Sequence, residues 1–383
     1  MNRRGVTKVQ AGILIILIVV AIIVSSAMVM RYYTPQKTTP HERYIVDIVG
    51  RNVTLPKSVS RIVAIGPGAL RLVCYLNATD MLVGVEEGET GWGSTGRDYA
   101  MAYGKTFAGL PVIGPGGPGK PPAPELILAV KPDLIIMSRT YCDFYDPNRL
   151  QAETNATVIV VDYGPAGQLD VKGLEKALNI LGEALNRKQR AEQLISFIRS
   201  IYSDLNQRTK NLGSMPKVYV GAISYKGSQP FTTTQVQFLP LTLLNTPSIA
   251  DKYSNRTGVL LWDFEAIIKE QPDIIFIDES NLATVKQDFD KDPNKYLQLN
   301  AFREGKIYGI LPYNYYHTNI AVALADAYYM GKVLYPERFS DVDPEAKANE
   351  IFNVFLGKPL YQEYAKAYGG FRCLSEMFRV PGR

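Results

Sequence analysis

Between residues 171 and 210, apolar side chains recur at steps of three and four: Leu174, Leu178, Leu181 and Leu185, then Ala191, Leu194, Ile198, Ile201 and Leu205. That spacing lays one apolar stripe along a helix, and the remaining positions are mostly Lys, Arg, Glu, Gln and Asn, as a solvated face requires. No proline interrupts the stretch, and Pro216 follows its end. The stripe lapses at Asn186-Arg187-Lys188-Gln189, where Asn followed three residues later by Gln fits a capping box. The expectation is a first helix over 171–184 and a second over 187–210, the second roughly 36 Å long at about 1.5 Å per residue. A rod of that length either bridges two lobes or forms half of an ordinary helical hairpin.

A repeat on either side of the helices favours the bridge. Glu125 opens a segment that runs through Pro132-Asp133 into Leu-Ile-Ile, and Glu265 opens one that runs through Pro272-Asp273 into Ile-Ile-Phe, with Glu, Pro and Asp at the same offsets. Each copy reads as a short amphipathic helix, a Pro-Asp turn and a buried strand, which is half of an α/β unit. Two copies flanking a long helix imply two similar α/β lobes joined by it, with a cleft between them.

The chain has 383 residues, enough for two ordinary domains with cores of their own. A net charge of +5 is spread along the sequence, with no block of Lys and Arg interleaved with aromatics, so no nucleic-acid partner is expected. Cys74, Cys142 and Cys373 are dispersed and form neither a CxxC site nor a disulfide framework. There is no GxSxG or HExxH, and His41 and His317 are the two histidines, so no nucleophile–base pair announces itself and the chain does not read as an enzyme. Gly114-Pro-Gly-Gly-Pro-Gly119-Lys120 has Walker A spacing, but Pro121 stands where Ser or Thr should hold magnesium. Pro115 and Pro118 also remove amides that would cradle phosphate, so ATP binding is rejected.

Residues 11–30 carry no charge and are long enough to cross a bilayer core, and Arg3, Arg4 and Lys8 precede them. This predicts a cytoplasmic N-terminus, a single-pass anchor retained over 1–30, and the rest of the chain outside the cell. A cleaved signal peptide is the rival, though no small-residue cleavage site stands clearly at the end, and no cysteine follows to carry a lipid. Residues 31–43, with two prolines and His41, read as an extended stalk. Beyond it the expected plan is a first lobe over 44–185, the interlobe helix over 186–212, a second lobe over 213–372 and a tail over 373–383. Sequons at Asn52, Asn77, Asn155 and Asn255 suit an external location.

With the hairpin around Gly50, the strand Arg61-Ile-Val-Ala-Ile65, the paired Glu…Pro-Asp units and the central helix, residues 44–370 resemble the class III solute-binding proteins of ABC importers. The run from Tyr313 to Pro336 is similar to that of archaeal, membrane-anchored members. The resemblance implies two α/β lobes joined by a rigid helix, a ligand in the interlobe cleft, and a small tilt of the lobes on binding. It also implies an ABC permease with its cytoplasmic ATPase as partner, with one exposed glutamate per lobe docking on permease arginines. Glu125 and Glu265 are the matching positions.

Tyr313, Asn314, Tyr315, Tyr316 and His317 lie between a strand end and a helix start, where α/β folds place ligands. Aromatic rings there suit a flat chelate, with Asn and His for its edge. One His with no second nearby is a poor metal site, so no protein-held metal or cofactor is expected. Trp92, Tyr141, Tyr163, Tyr225 and Trp262 fall in or near strand-end loops, and Arg97, Arg139, Lys226 and Arg256 are candidates for anionic groups. The expected function is capture of a metal chelate (a ferric siderophore, haem or cobalamin) by a monomeric extracytoplasmic receptor. A molybdate-type oxyanion is the alternative, which requires a small cleft rich in Arg and Ser. A membrane-bound α/β enzyme and a sensor ectodomain are the readings from other classes.

Overall fold

The computed structural model describes residues 8–32, 43–225 and 227–380. Arg3, Arg4, His41, most of the stalk, Lys226 and the last three residues of the tail lie outside the described residues. The chain divides into two units at Glu42. The first contains one helix, Lys8–Tyr32, whose segment Ala11–Met28 has a mean hydropathy of 2.9. That helix is long and apolar enough to span a bilayer core of about 30 Å.

The second unit begins with a hairpin, β1 (Tyr44–Val46) and β2 (Asn52–Thr54). A parallel sheet follows, in the order β3 (Ile62–Ile65), β4 (Leu134–Ser138) and β5 (Thr157–Val161). After the long helices comes a second sheet. Its parallel strands are β6 (Val218–Gly221), β9 (Ile274–Asp278) and β10 (Ile307–Ile310), edged by antiparallel β11 (Arg372–Cys373). A separate hairpin, β7 (Thr233–Val236) with β8 (Gly258–Leu261), lies between β6 and β9 in sequence.

The sequence repeat is a structural repeat down to its turns. Helix Pro124–Ala129 leads into β4 and helix Phe264–Glu270 leads into β9. In each copy the residue before proline, Lys131 or Gln271, has a φ of +46°. In each, the Asp after proline caps the start of the neighbouring strand. Asp133 accepts from the Ser60 and Arg61 amides at 2.8 and 2.9 Å, and Asp273 accepts from the Lys217 amide at 2.7 Å. Partial burial raises the pKa of Asp133, but these donors outweigh it and hold the carboxyl below its usual range.

The long stretch forms two helices, Val171–Ala184 and Lys188–Thr209. Their junction is not a capping box. Asn186 sits at a φ of +55°, the Arg187 amide donates to the Gly182 carbonyl at 2.7 Å, and the Asn186 amide reaches the Glu183 carbonyl. That is a Schellman ending of the first helix, in which Asn supplies the left-handed residue. Every member of the apolar stripe is buried. Within 373–383, β11 reaches Cys373, and Leu374 and Phe378 are buried in the outer core of the second sheet. The three cysteines are unpaired.

Strand alternation sorts the core into layers. Ile62, Ala64, Leu134 and Ile136 of the first sheet, and Val218, Val220 and Phe276 of the second, join one continuous apolar cluster that includes both long helices. Their alternates, Val63, Ile135 and Met137 on one sheet and Tyr219, Ile275 and Ile277 on the other, face two separate outer cores. The long helix is therefore not the sole joint between the lobes. Helix Ile320–Leu334 runs buried through the shared cluster, and helix Pro344–Leu356 packs on it and on helices Ala69–Tyr75 and Asp98–Phe107 of the first lobe.

Gly331 tests how tight that joint is. A Cβ there would lie 2.4 Å from the Phe339 ring. Gly331→Ala should gain up to about 1 kcal/mol in helix propensity but lose about 1–3 kcal/mol to overpacking. The expected net result is a lower urea midpoint with unchanged m-value; a raised midpoint would show that the packing yields.

Candidate functional site

A cavity of about 960 Å³ opens where the strands of both sheets end. Pro67 follows β3, Thr140 and Tyr141 follow β4, Ser224 and Tyr225 follow β6, Ser280 and Asn281 follow β9, and Pro312 with Asn314, Tyr315, Tyr316 and His317 follows β10. Parallel strands pointing the same way bring their C-terminal loops to one crevice. Of the residues singled out in the sequence, Trp92, Tyr141, Tyr225, Asn314, Tyr315, Tyr316 and His317 line it. Phe144 and Tyr368 add two further rings.

Three of the expected ligand contacts are corrected by the geometry. Tyr313 is 2% exposed and points into the shared core, where its hydroxyl donates to the Gly167 carbonyl at 2.9 Å and its ring meets Phe238. Arg97 is fully buried and pairs with Glu89 at 2.5 Å, with its guanidinium behind the Trp92 and Tyr315 rings at 5.9 and 5.7 Å. It backs the aromatic wall and does not reach the cavity. Trp262 packs on Tyr219 and Tyr253 beside the β7–β8 hairpin, away from the cleft. Of the other candidates, Tyr163 is buried, Arg256 is exposed away from the cavity lining, and Arg139 pairs with Asp143 at the rim at 2.9 Å.

His317 lines the cavity without offering a lone pair. Its Nδ1 accepts from the Thr318 amide at 3.0 Å, and the ring also bonds the Gly164 backbone. Burial, then the charge of Arg71, pushes its pKa down to about 3, so the imidazole is neutral at physiological pH. It serves as a ring beside Tyr163, with centroids 4.2 Å apart, and metal ligation is not available to it.

The 313–319 loop is held in an unusual conformation. Tyr316 and His317 are consecutive non-glycine residues with φ of +49° and +81°, which costs of order 1 kcal/mol or more each. Arg71, fully buried, holds the turn in place. Its guanidinium donates to Asp98 (3.0 Å), the Tyr163 hydroxyl (2.8 Å), the Tyr315 carbonyl (3.2 Å) and the Asn319 side chain (2.8 Å). Asn319 continues the tie by accepting from the Asp98 amide and donating to the Gly96 carbonyl. The sequence carried a signal for this residue: Arg71 is the lone charge in the otherwise apolar helix Ala69–Tyr75.

Glu86 is the second group that sequence reasoning missed. Its buried carboxylate accepts from the Gly66 amide (2.8 Å), the Tyr141 hydroxyl (2.8 Å) and the Tyr316 hydroxyl (3.2 Å). It thereby fixes one cleft tyrosine from each lobe with the hydroxyl turned into the wall. The glycine-proline loop completes that wall. The Gly117 amide donates to the Tyr316 hydroxyl at 3.0 Å, and a Cβ at Gly117 would come 3.0 Å from the Trp92 ring. The glycines of the false Walker motif serve close approach to an indole and a carboxylate.

Comparison with known proteins bears on the fold. The profile of the family described as "Periplasmic binding protein" matches residues 62–313. The chain is 22% identical over 278 residues to the uncharacterized ABC transporter substrate-binding lipoprotein YvrC of Bacillus subtilis, covering 72% of this chain and 81% of that one. It is 21% identical over 339 residues to the molybdate-binding protein MolA of Haemophilus influenzae, covering 82% and 91%. Its fold is similar to that of an ABC transporter solute binding protein from Sulfurospirillum deleyianum, with a TM-score of 0.64, 22% identity, and coverage of 85% and 98%.

Glu86 gives a pH test. Burial, against the pull of its hydrogen bonds, raises its pKa from 4.5 to about 7. Ionisation is therefore costlier in the folded chain than in the unfolded one. The fold keeps its full stability below about pH 4.5, loses it as pH rises through 7, and changes no further from this group above that. The whole effect is about 3 kcal/mol at most. Glu86→Gln should remove this slope, so the difference between wild-type and variant denaturation midpoints should change between pH 4.5 and 7. A difference that is constant over that range would contradict the assignment.

Proposed function

The chain belongs to the periplasmic binding protein family; we propose that it is the solute-binding protein of an ABC importer and that its solute is a metal chelate with flat or apolar faces. The observation that carries this is the cleft lining. It is broad and built from Trp92, Tyr141, Phe144, Tyr225, Tyr315, Tyr316 and Tyr368, and among the described residues that line it there is no Lys or Arg. Ring faces bind extended apolar surface, while Asn314, Ser224 and Asn281 offer hydrogen bonds to a chelate's edge. Binding without chemistry suffices: the ligand is held, and the relation of the lobes reports its presence.

The likeness to MolA favours a second reading, an oxyanion such as molybdate. A small dianion is recognised by guanidinium, hydroxyl and amide donors converging on a narrow site. The width and aromatic character of this cleft argue for the chelate.

The rest of the system follows from the same reading. Glu125 and Glu265 are both exposed, in the first turns of the equivalent helices Pro124–Ala129 and Phe264–Glu270, and are assigned to docking on the permease. The Lys8–Tyr32 helix is assigned as a retained anchor that holds the binding unit at the outer face of the membrane. The four sequon asparagines are exposed, as an external location requires.

Thermal unfolding of the detergent-solubilised full chain tests the ligand class. The panel is ferric siderophores, haem, cobalamin, molybdate and tungstate. A true ligand at 100 times its Kd stabilises by about 2.7 kcal/mol. The expected result is a shift with a chelate, reduced by Tyr315→Ala. A shift with the oxyanions alone would overturn the chelate reading.

A further inference from the structure

Buried carboxylates need a counter-charge, because removing an ion from water costs several kcal/mol that neutral donors only partly return. Most of those described in this chain have one. Asp47 pairs with Arg51, Glu89 with Arg97, Asp98 with Arg71, Glu270 with Lys252 and Glu279 with Arg372. Two that stand directly behind the cleft lining do not. Glu86, 2% exposed, is held in the first lobe by the Gly66 amide and the Tyr141 and Tyr316 hydroxyls. Asp278, also 2% exposed, ends β9 in the second lobe. It accepts from the Ser224 amide (3.0 Å) and hydroxyl (2.7 Å) and from the Ser280 amide (3.0 Å) and hydroxyl (2.7 Å).

The side-chain donors to these two carboxylates come from cavity-lining residues: Tyr141 and Tyr316 on one side, Ser224 and Ser280 on the other. A single layer of neutral groups separates each carboxylate from the cavity. Asp326 lies deeper on the second wall, fully buried, with one oxygen accepting from the Leu311 amide and the other without a partner among the described residues. Burial pushes its pKa well upward, which favours the neutral acid, so the charge on that side rests on Asp278. The three arginines nearest the lining are already matched, Arg71 and Arg97 by Asp98 and Glu89, and Arg139 by Asp143 at the rim, while Lys120, beside Gly119, is exposed to solvent.

We propose that the cleft selects chelates by charge, taking a complex with net positive charge in preference to a neutral one and rejecting anionic ones, with Glu86 and Asp278 as its counter-ions, one from each lobe. This deepens the chelate reading and rests on it. Burial pushes the pKa of both carboxyls upward, as expected for buried groups that lack a cationic partner in the chain. A cation held between the two walls interacts with both through a medium of low dielectric constant, where attraction falls off slowly with distance. Both lobes are then drawn to the same ligand, which gives the closed arrangement a reason to form only when the cleft is filled.

The test holds the chelate constant and changes its charge. The probes are the ferric complex of a linear trihydroxamate with a free terminal amine, which is monocationic, the same complex with that amine acetylated, which is neutral, and a trianionic ferric tris-catecholate. Affinities are measured by calorimetry on the detergent-solubilised full chain at pH 7.5. The cationic complex should bind about tenfold more tightly than the neutral one, and the trianion about a hundredfold or more weakly than the neutral one. Glu86→Gln and Asp278→Asn, made separately, should each bring the cation-to-neutral ratio toward one. A purely structural role would weaken both complexes alike and leave the ratio unchanged, which overturns the assignment. A wild-type ratio of one or less, or tightest binding of the trianion, also overturns it while leaving the chelate reading in place. Binding of none of the three overturns the charge proposal, while the chelate reading then stands or falls with haem and cobalamin in the thermal panel.

Discussion

The arrangement of the cleft depends on one buried cation. Arg71 leaves the first lobe from an otherwise apolar helix and binds carbonyl and amide oxygens of the loop that follows the second sheet. Its charge is met by Asp98, and Asp98 in turn receives the Tyr75 hydroxyl and sends its own backbone amide to Asn319. Removing one partner from such a buried pair typically costs about 3–5 kcal/mol, because the other charge is left without compensation. Here the loss would also release a turn with two left-handed residues, and with it the positions of Tyr315, Tyr316 and His317. The rings that face the ligand are fixed by an ion that the ligand does not touch.

A second level of constraint comes from packing. The inner faces of both sheets share one apolar cluster with the long helices, so the lobes are not beads on a rod. The buried Ile320–Leu334 helix and the Pro344–Leu356 helix, which returns to the first lobe, broaden the joint. Close-packed interfaces shift between discrete arrangements and resist continuous bending. Small movements at the cleft wall, where Glu86 and its two tyrosines join the lobes, are compatible with such a joint; a wide hinge opening is not.

Much of the fold was legible in the sequence because it rests on local periodicity. The helices Val171–Ala184 and Lys188–Thr209 fall where apolar spacing predicts them, and the Glu…Pro-Asp repeat proved to carry matching turns and matching Asp caps. The ring-bearing residues of the strand-end loops were legible as a group, since parallel strands gather their C-terminal loops. What each side chain faces was not. Arg97 and Tyr313 look like ligand contacts in one dimension, yet Glu89 and the Gly167 carbonyl, both distant from any motif, turn them inward. Glu86, Asp278 and Tyr368 gave no pattern at all, because their roles arise from loops meeting across the cleft. Asn186 was misread because the same residue type favours both an N-cap and a left-handed helix ending.

The two tryptophans allow the most direct test of where the solute sits. Trp92 lines the cavity and Trp262 packs outside it. Trp262→Phe leaves Trp92 as the sole indole, and its emission can be followed during titration with a ferric chelate that stabilises the protein. Saturable quenching of Trp92, with the midpoint given by thermal stabilisation, is the predicted result. Stabilisation without any change in Trp92 emission would place the solute elsewhere and contradict the assignment of the aromatic cleft.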